Sequence, residues 1–435
     1  MPKKVLIVTY YWPPSGGIGV LRCLKIAKYL RRSGWEPIIY CPKNAQYPRL
    51  DHSNDKDIPN GIEILRQSIW EPYAIYRLIT GKRKNENVND VLISTDKKEG
   101  LAHKMSTWIR CNLFLPDARA FWIRPSIKFL SNYLDKNNVD AIFSCGPPHT
   151  NTRIATLISK KYNIPFLADF QDPWTQVDYF KNLPLTSWGL KRHQEAELEA
   201  LNQSSAITIV SKSWKQDLMQ IGAKNVSVLY WGYDPEDFES LQSKVDDKFT
   251  ISHLGIMSKD RNPRVLFKVI KELNKEIPGF KEDLVLHLVG QFDYSIKESF
   301  SQENIESNIK LTSSVERKEA LRLTCSSNVL LLLLNKQDNI KGRVPGKFFE
   351  YLASKRPILT LGATEGDVVE IVKATKRGAC LDYKDYDGIK TVLTELYRKY
   401  KNKSLCAPLT NPIDQFSHPV LTKKVAKILD DISQQ

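Results

Sequence analysis

The sequence predicts an α/β protein built from two Rossmann-like domains with a cleft between them. Three observations predict it. Short β-branched apolar runs alternate with amphipathic helical stretches. That alternation pauses at the polar stretch Glu239 to Asp247 and then restarts. The chain has 435 residues, more than one ordinary core holds and enough for two domains of about 200 residues each.

The elements follow in order. Lys4 to Tyr10 is an apolar run followed by W-P-P-S-G-G-I-G and an amphipathic segment from Val20 to Arg32, so strand, glycine loop and helix open a doubly wound domain. Ser33-Gly34 closes that helix, and Glu36 to Cys41 reads as the next strand. Further strands are expected at Gly61 to Leu65, Ala141 to Ser144, Pro165 to Asp169, Ala206 to Val210 and Val226 to Leu229. Helical patterns fall at Ile127 to Lys136, Thr150 to Lys161, Gly189 to Asn202 and Lys212 to Ile221. After the linker come Phe249 to Gly255, a helix over Arg264 to Asn274, and strands at Leu284 to Gly290, Ile309 to Leu311, Val329 to Leu334, Pro357 to Leu361 and Gly378 to Leu381. An amphipathic helix is expected over His418 to Ile432. The expected domains are 1–236 and 237–412, with 413–435 as a terminal helix.

Composition is that of a globular protein, 42% hydrophobic and 26% charged, without an apolar run near the roughly 20 residues a membrane span needs. The opening M-P-K-K-V-L-I-V-T-Y reads as a strand rather than a signal peptide. Seven scattered cysteines form no C-x-x-C pair, so neither a zinc site nor a disulfide framework is expected, and the cytoplasm is the simplest compartment. A formal charge of +15 calls for an anionic partner. No nucleic-acid-binding motif is recognisable, so nucleic acid is not expected. Within 70–130, cations (Arg77, Lys82, Lys97, Arg110, Arg124, Lys128) mingle with aromatics (Trp108, Phe114, Trp122). Two readings of this excursion stay open: docking on an anionic membrane surface, or a solvated basic extension of the first domain.

Candidate sites lie at strand ends, where α/β sheets bind ligands. The stretch G-K-F-F-E-Y-L-A-S-K-R-P, Gly346 to Pro357, follows the apolar run Asn328 to Asn335 and a Gly/Pro loop. Its helix start offers unpaired N–H groups and a positive dipole end, Lys347 adds a point charge, and Glu350 suits a sugar diol. That combination fits a nucleoside diphosphate. Arg261, in M-S-K-D-R-N-P, is the leading diphosphate ligand because a guanidinium makes bidentate, permanently charged contacts; Lys259 is the weaker candidate. S-G-G-I-G, Ser15 to Gly19, is not G-x-G-x-x-G, which disfavours NAD; Gly16 and Gly17 either face a ligand or form a tight turn. His149 in S-C-G-P-P-H-T is either a substrate contact or structural. In A-D-F-Q-D-P-W-T, Asp172 and Trp174 are candidates for the acceptor side, Asp169 for loop stabilisation, and a turn cap before Pro173 is the plainer alternative.

The motif from Pro345 to Pro357, read as P-x-K-x-x-E-Y-L-A-x-x-x-P, together with the G-G loop, the D-P-W segment and the Arg-Asn-Pro loop, resembles retaining glycosyltransferases of the family-4 type. The resemblance covers most of the chain and implies the GT-B fold, with the terminal helix crossing back onto the first domain. It implies a donor site on the second domain, with Arg261, Lys347 and Glu350 on the donor and Gly16 and Gly17 facing its diphosphate. Familiar members carry two glutamates seven residues apart; Glu350 matches the second, and Gly342 stands at the first. Backbone N–H groups of Gly342, Arg343 and Val344 are expected to serve instead. Arg261, Lys347 and His149 are the implied catalytic residues, with His149, Asp172 and Trp174 on the acceptor side. The implied reaction moves a sugar from a UDP-sugar or other nucleotide sugar to a hydroxyl of a glycan or lipid-linked glycan. No cofactor and no metal are expected. Two rivals stay open: a sugar-nucleotide epimerase of the same fold, and a non-catalytic membrane- or polyanion-binding protein.

Overall fold

The computed structural model describes residues 2–71, 101–177, 180–239, 241, 244–335, 339–405 and 413–434. Arg77, Lys82 and Lys97 of the basic excursion lie outside the described residues. The chain divides into two compact units: one takes the described residues up to Trp231 together with those from His418 onward, the other Gly232–Ser417.

In the first unit seven parallel strands form one sheet: β1 (Lys3–Val8), β2 (Trp35–Pro42), β3 (Glu63–Gln67), β4 (Ala141–Gly146), β5 (Phe166–Phe170), β6 (Ala206–Ile209) and β7 (Val226–Val228). Their order is β3-β2-β1-β4-β5-β6-β7. Strands covered on both faces read as continuous apolar runs, and Val5, Leu6, Ile7 and Val8 are accordingly all fully buried. The helix His418–Ser433 belongs to this unit: Leu421, Val425, Ala426, Leu429 and Ile432 join the core that Val5, Ile7, Leu24 and Ala27 form.

The second unit holds β8 (Phe249–Leu254), β9 (Leu284–Val289), β10 (Ile309–Thr312), β11 (Val329–Leu333), β12 (Ile358–Leu361) and β13 (Gly378–Leu381). All are parallel, in the order β10-β9-β8-β11-β12-β13. Its two ends meet, since Tyr233 and Ser417 pair in a parallel bridge and the Tyr233 N–H bonds the Phe416 carbonyl at 3.0 Å. Two parallel α/β sheets are thus the observed architecture.

Boundaries shift where local chemistry competes with periodicity. The helix expected at Ile127 to Lys136 runs over Ile123–Leu134, starting earlier because Pro125 fits a first turn. The Leu101–Leu113 helix, inside the basic excursion, had no counterpart among the expected elements. Among the described residues no helix is long and apolar enough to cross a membrane, and Cys23, Cys41, Cys111, Cys145, Cys325 and Cys380 are free thiols.

Candidate functional site

In the second unit the strand order reverses between β8 and β11, and the crevice outside the carboxyl ends of such strands is where an open α/β sheet takes ligands. β8 ends at His253 and Leu254, then turns through Gly255 at φ +117°. Glycine is required just beside it: a Cβ on Gly290, itself at φ +133°, would sit 2.3 Å from the Gly255 carbonyl oxygen. The loop continues into a short turn, Lys259–Arg261. There the Arg261 Nε donates to Asn335 Oδ1, just beyond β11, and Nη1 donates to the Ile256 carbonyl at 3.3 Å. Lys259 is exposed.

The Gly346–Ala353 helix opens from Pro345 without a side-chain cap; the Phe348 N–H bonds the Pro345 carbonyl at 2.9 Å, and the N–H groups of Gly346 and Lys347 are left for water or an anion. Lys347, in that first turn, reaches back to β8: Nζ lies 2.8 Å from the Leu254 carbonyl oxygen and 3.4 Å from His253 Nε2. Burial, reinforced by the Arg261 cation, lowers its pKa to about 7. Arg261 and Lys347 are therefore close enough to repel one another, and they converge on the same strand end. Glu350, one helical turn on, is ion-paired: Oε1 accepts from Arg317 Nη2 at 2.9 Å, and Arg317 Nη1 donates to Asp237 at 2.8 Å.

The loop before this helix departs from expectation. The Gly342 N–H bonds the Asn339 carbonyl at 3.3 Å and the Arg343 N–H bonds that of Ile340 at 3.1 Å, so a short helical turn occupies two of the three amides expected to meet a ligand. Val344 is buried by its side chain, and among the described residues its N–H makes no such bond.

In the first unit the reversal falls between β1 and β4. The Gly16 N–H already bonds the Arg49 carbonyl at 2.8 Å, and a Cβ there would come within 3.1 Å of the Asp51 side chain, so Gly16 serves close packing rather than an open amide. Gly17, at φ +87°, caps the Ile18–Leu30 helix and faces open space. His149 opens the His149–Tyr162 helix and stacks on Trp174, with ring centroids 4.6 Å apart and an interplanar angle of 4°. Burial and the neighbouring His193 lower the His149 pKa to about 3, and its Nδ1 is buried without a hydrogen-bond partner among the described residues. Trp174 is buried under this stack, with Nε1 3.2 Å from His193 Nδ1; it supports His149 instead of offering an open platform. Asp172 is partly exposed in the same loop. Asp169 is buried and bidentate to Arg22 at 2.9 and 2.7 Å, with Thr208 at 2.7 Å, which makes it a structural carboxylate.

No protein-family model and no curated protein matches the sequence. Solved structures do match along nearly their full lengths. Alr3699/HepE of Anabaena, in complex with UDP, is 13% identical with a TM-score of 0.60 over 99% of this chain and 100% of that one. TarM of S. aureus, a variant in complex with Fondaparinux, alpha-GlcNAc-glycerol and UDP, is 11% identical with a TM-score of 0.58, covering 99% and 100%. WaaG, a glycosyltransferase involved in lipopolysaccharide biosynthesis, is 12% identical with a TM-score of 0.55, covering 98% and 99%. The fold is GT-B. In this GT-B chain the glycine loops and the uncapped start of the Gly346–Ala353 helix stand at the points where strand order reverses.

Three residues of this arrangement are not among the candidates the sequence offers. Arg317 lies 33 residues from Glu350 and 80 from Asp237, so no local spacing announces the triad. Asn335, which orients Arg261, stands in the sequence only as the end of an apolar run. His253 sat in F-T-I-S-H-L-G as one more strand residue; the available signal was a histidine at a strand position predicted to be buried.

Proposed function

We propose that the chain is a retaining glycosyltransferase that moves a sugar from a UDP-sugar donor to a hydroxyl of a glycan or lipid-linked glycan, in polysaccharide biosynthesis. The observation that carries this reading is the convergence of Arg261, Lys347 and the uncapped start of the Gly346–Ala353 helix at the end of β8. Each is a donor or positive end suited to phosphate oxygens, and together they fit a diphosphate. The likeness to UDP complexes of the same fold supports the nucleotide.

The chemistry follows from charge. As the bond between the anomeric carbon and the leaving oxygen breaks, negative charge grows on the departing diphosphate. Arg261 and Lys347, already aimed there, stabilise it without reorganising, which is usually the largest single term in such catalysis. Glu350, held by Arg317 through Oε1, presents Oε2 to a ribose diol. In the front-face route that retention implies, the acceptor hydroxyl attacks from the side the diphosphate leaves, and a leaving phosphate oxygen takes its proton. His149, neutral across the physiological range, stacks on Trp174 on the acceptor side with its Nδ1 buried, and Asp172 lies in the adjoining loop. No step calls on a metal or cofactor.

The experiment is transfer of radiolabelled sugar from a panel of nucleotide sugars to a membrane or glycan extract. Arg261→Ala and Glu350→Ala should each lower the rate about 100-fold with the fold intact. Full activity in both variants refutes the site. Isomerised sugar nucleotide formed without acceptor points to an epimerase.

A further inference from the structure

His253 lies fully buried at the end of β8, directly beneath the groups assigned above to the diphosphate. Its Nδ1 is 3.0 Å from the Leu331 carbonyl oxygen on β11. A carbonyl only accepts, so Nδ1 carries the ring proton and Nε2 presents a lone pair. That lone pair faces Lys347 Nζ at 3.4 Å, while Nζ also donates to the Leu254 carbonyl at 2.8 Å. Two of the three ammonium N–H groups are thereby directed onto β8, which leaves the third for a ligand. Among the described residues no carboxylate bonds Lys347. The charged and titratable groups around it are Arg261 from the β8 loop, His253 from β8, and Tyr351 and the Arg317-bound Glu350 from its own helix. Burial and the Lys347 cation hold the His253 pKa well below its ordinary value, so the ring stays a neutral acceptor.

We propose that His253 is a positioning residue of the anion site: anchored on the Leu331 carbonyl, its Nε2 holds the Lys347 ammonium toward the ligand phosphates, and ligand binding draws a proton onto Lys347. The inference rests on the nucleotide-diphosphate reading of this site. The proton comes from solvent and forms an N–H bond at Nζ; no other bond changes. An empty pocket with two cations side by side favours a neutral amine, whereas a diphosphate between them favours the ammonium. With Lys347 at about 7 in the empty site, uptake occurs above that pH.

Calorimetric titration of UDP into the full chain at pH 7.5, 8.0 and 8.5, each in two buffers of different ionisation enthalpy, tests it. The terminal phosphate of UDP, titrating near pH ~6, is ionised throughout. For the wild type, affinity should fall by up to about tenfold per pH unit, with net proton uptake approaching one. His253→Leu should lose about tenfold in UDP affinity at pH 7.5 and take up more proton per UDP bound, because an unsupported ammonium deprotonates more readily. His253→Gln, which places an amide oxygen near the Nε2 position, should restore most of both. If His253→Leu binds UDP with wild-type affinity and proton uptake, or is merely less stable while its folded fraction binds normally, the inference fails. Should His253→Leu not fold, the wild-type pH profile and His253→Gln decide; tight binding that is independent of pH overturns it. A wild type that binds no UDP overturns the nucleotide reading, and this inference with it.

Discussion

Arg317 shows how much one side chain organises. It holds Asp237 and Glu350 at once, is only 15% exposed, and its two carboxylate partners keep its guanidinium charged at every accessible pH. Removing it takes the shared guanidinium from two largely buried carboxylates, and the loss of one partner from such a cluster costs about 3 kcal/mol. Arg317→Met should lower the urea midpoint accordingly, and Glu350→Gln added to it should recover part of the loss; additive behaviour would show that the pair is not coupled. Gly290→Ala makes a different case. The new methyl meets backbone, not a flexible side chain, so the Gly255 loop has to move. Destabilisation of about 2 kcal/mol together with weakened UDP affinity is expected, measured on the same preparation.

At the scale of the element, the His418–Ser433 helix separates burial from surface charge. Leu429 is fully buried in the first unit's core, while Asp430 is about half exposed and pairs with Lys3 at 3.0 Å. Leu429→Ala should cost about 3 kcal/mol, and Asp430→Ala no more than about 0.5 kcal/mol, in denaturant melts. The same contrast explains what was legible beforehand. Val329–Leu333 and residues 5–8 of β1 are buried on both faces, and that condition writes itself into consecutive residues as an apolar run. The sheets and the α/β class were therefore readable. The Leu101–Leu113 helix was not, because its exposed Met105, Trp108 and Leu113 break the usual polar-outside pattern. Nor were the ties of Gly342 and Arg343 to Asn339 and Ile340: a glycine-containing loop looks the same in sequence whether its amides are occupied or open. Glu350 stood out from its motif, but its fixing by Arg317 depends on a contact between distant segments.

Over the whole molecule, buried histidines set the acid limit. Burial lowers the pKa of His149, from 6.5 to about 3, and shifts His193, His253 and His287 in the same direction. The unfolded chain takes up protons near pH 6.5 that the native state refuses, so stability should decline as pH falls from about 6.5 toward 3. Melting temperatures at pH 7.5 and 5.0 check this, and His149→Phe, which keeps a stacked ring, should reduce the difference. A second property of the whole is the +15 charge. The Trp70, Phe114 and Phe121 rings touch one another at 4.7 and 5.2 Å, Trp70 and Phe121 are about half exposed, and Arg124 and Lys128 are exposed nearby in sequence. Flotation with phosphatidylglycerol vesicles, lost in high salt and reduced by Trp70→Ser with Phe121→Ser, is the expected outcome if this face meets an anionic bilayer; equal recovery with neutral vesicles counts against it.

Among the described residues the chain leaves the first unit at Trp231 and returns to it at His418, so Gly232–Ser417 is threaded into the first unit as an insert. The insert is therefore synthesised before its host is complete: Gly232–Ser417 is made while the groove for Leu421, Val425 and Leu429 still waits for its last helix. A chain that ends at residue 417 would therefore carry the whole of this insert and lack its host's last helix, and fragments cut at those two joints should divide the same way.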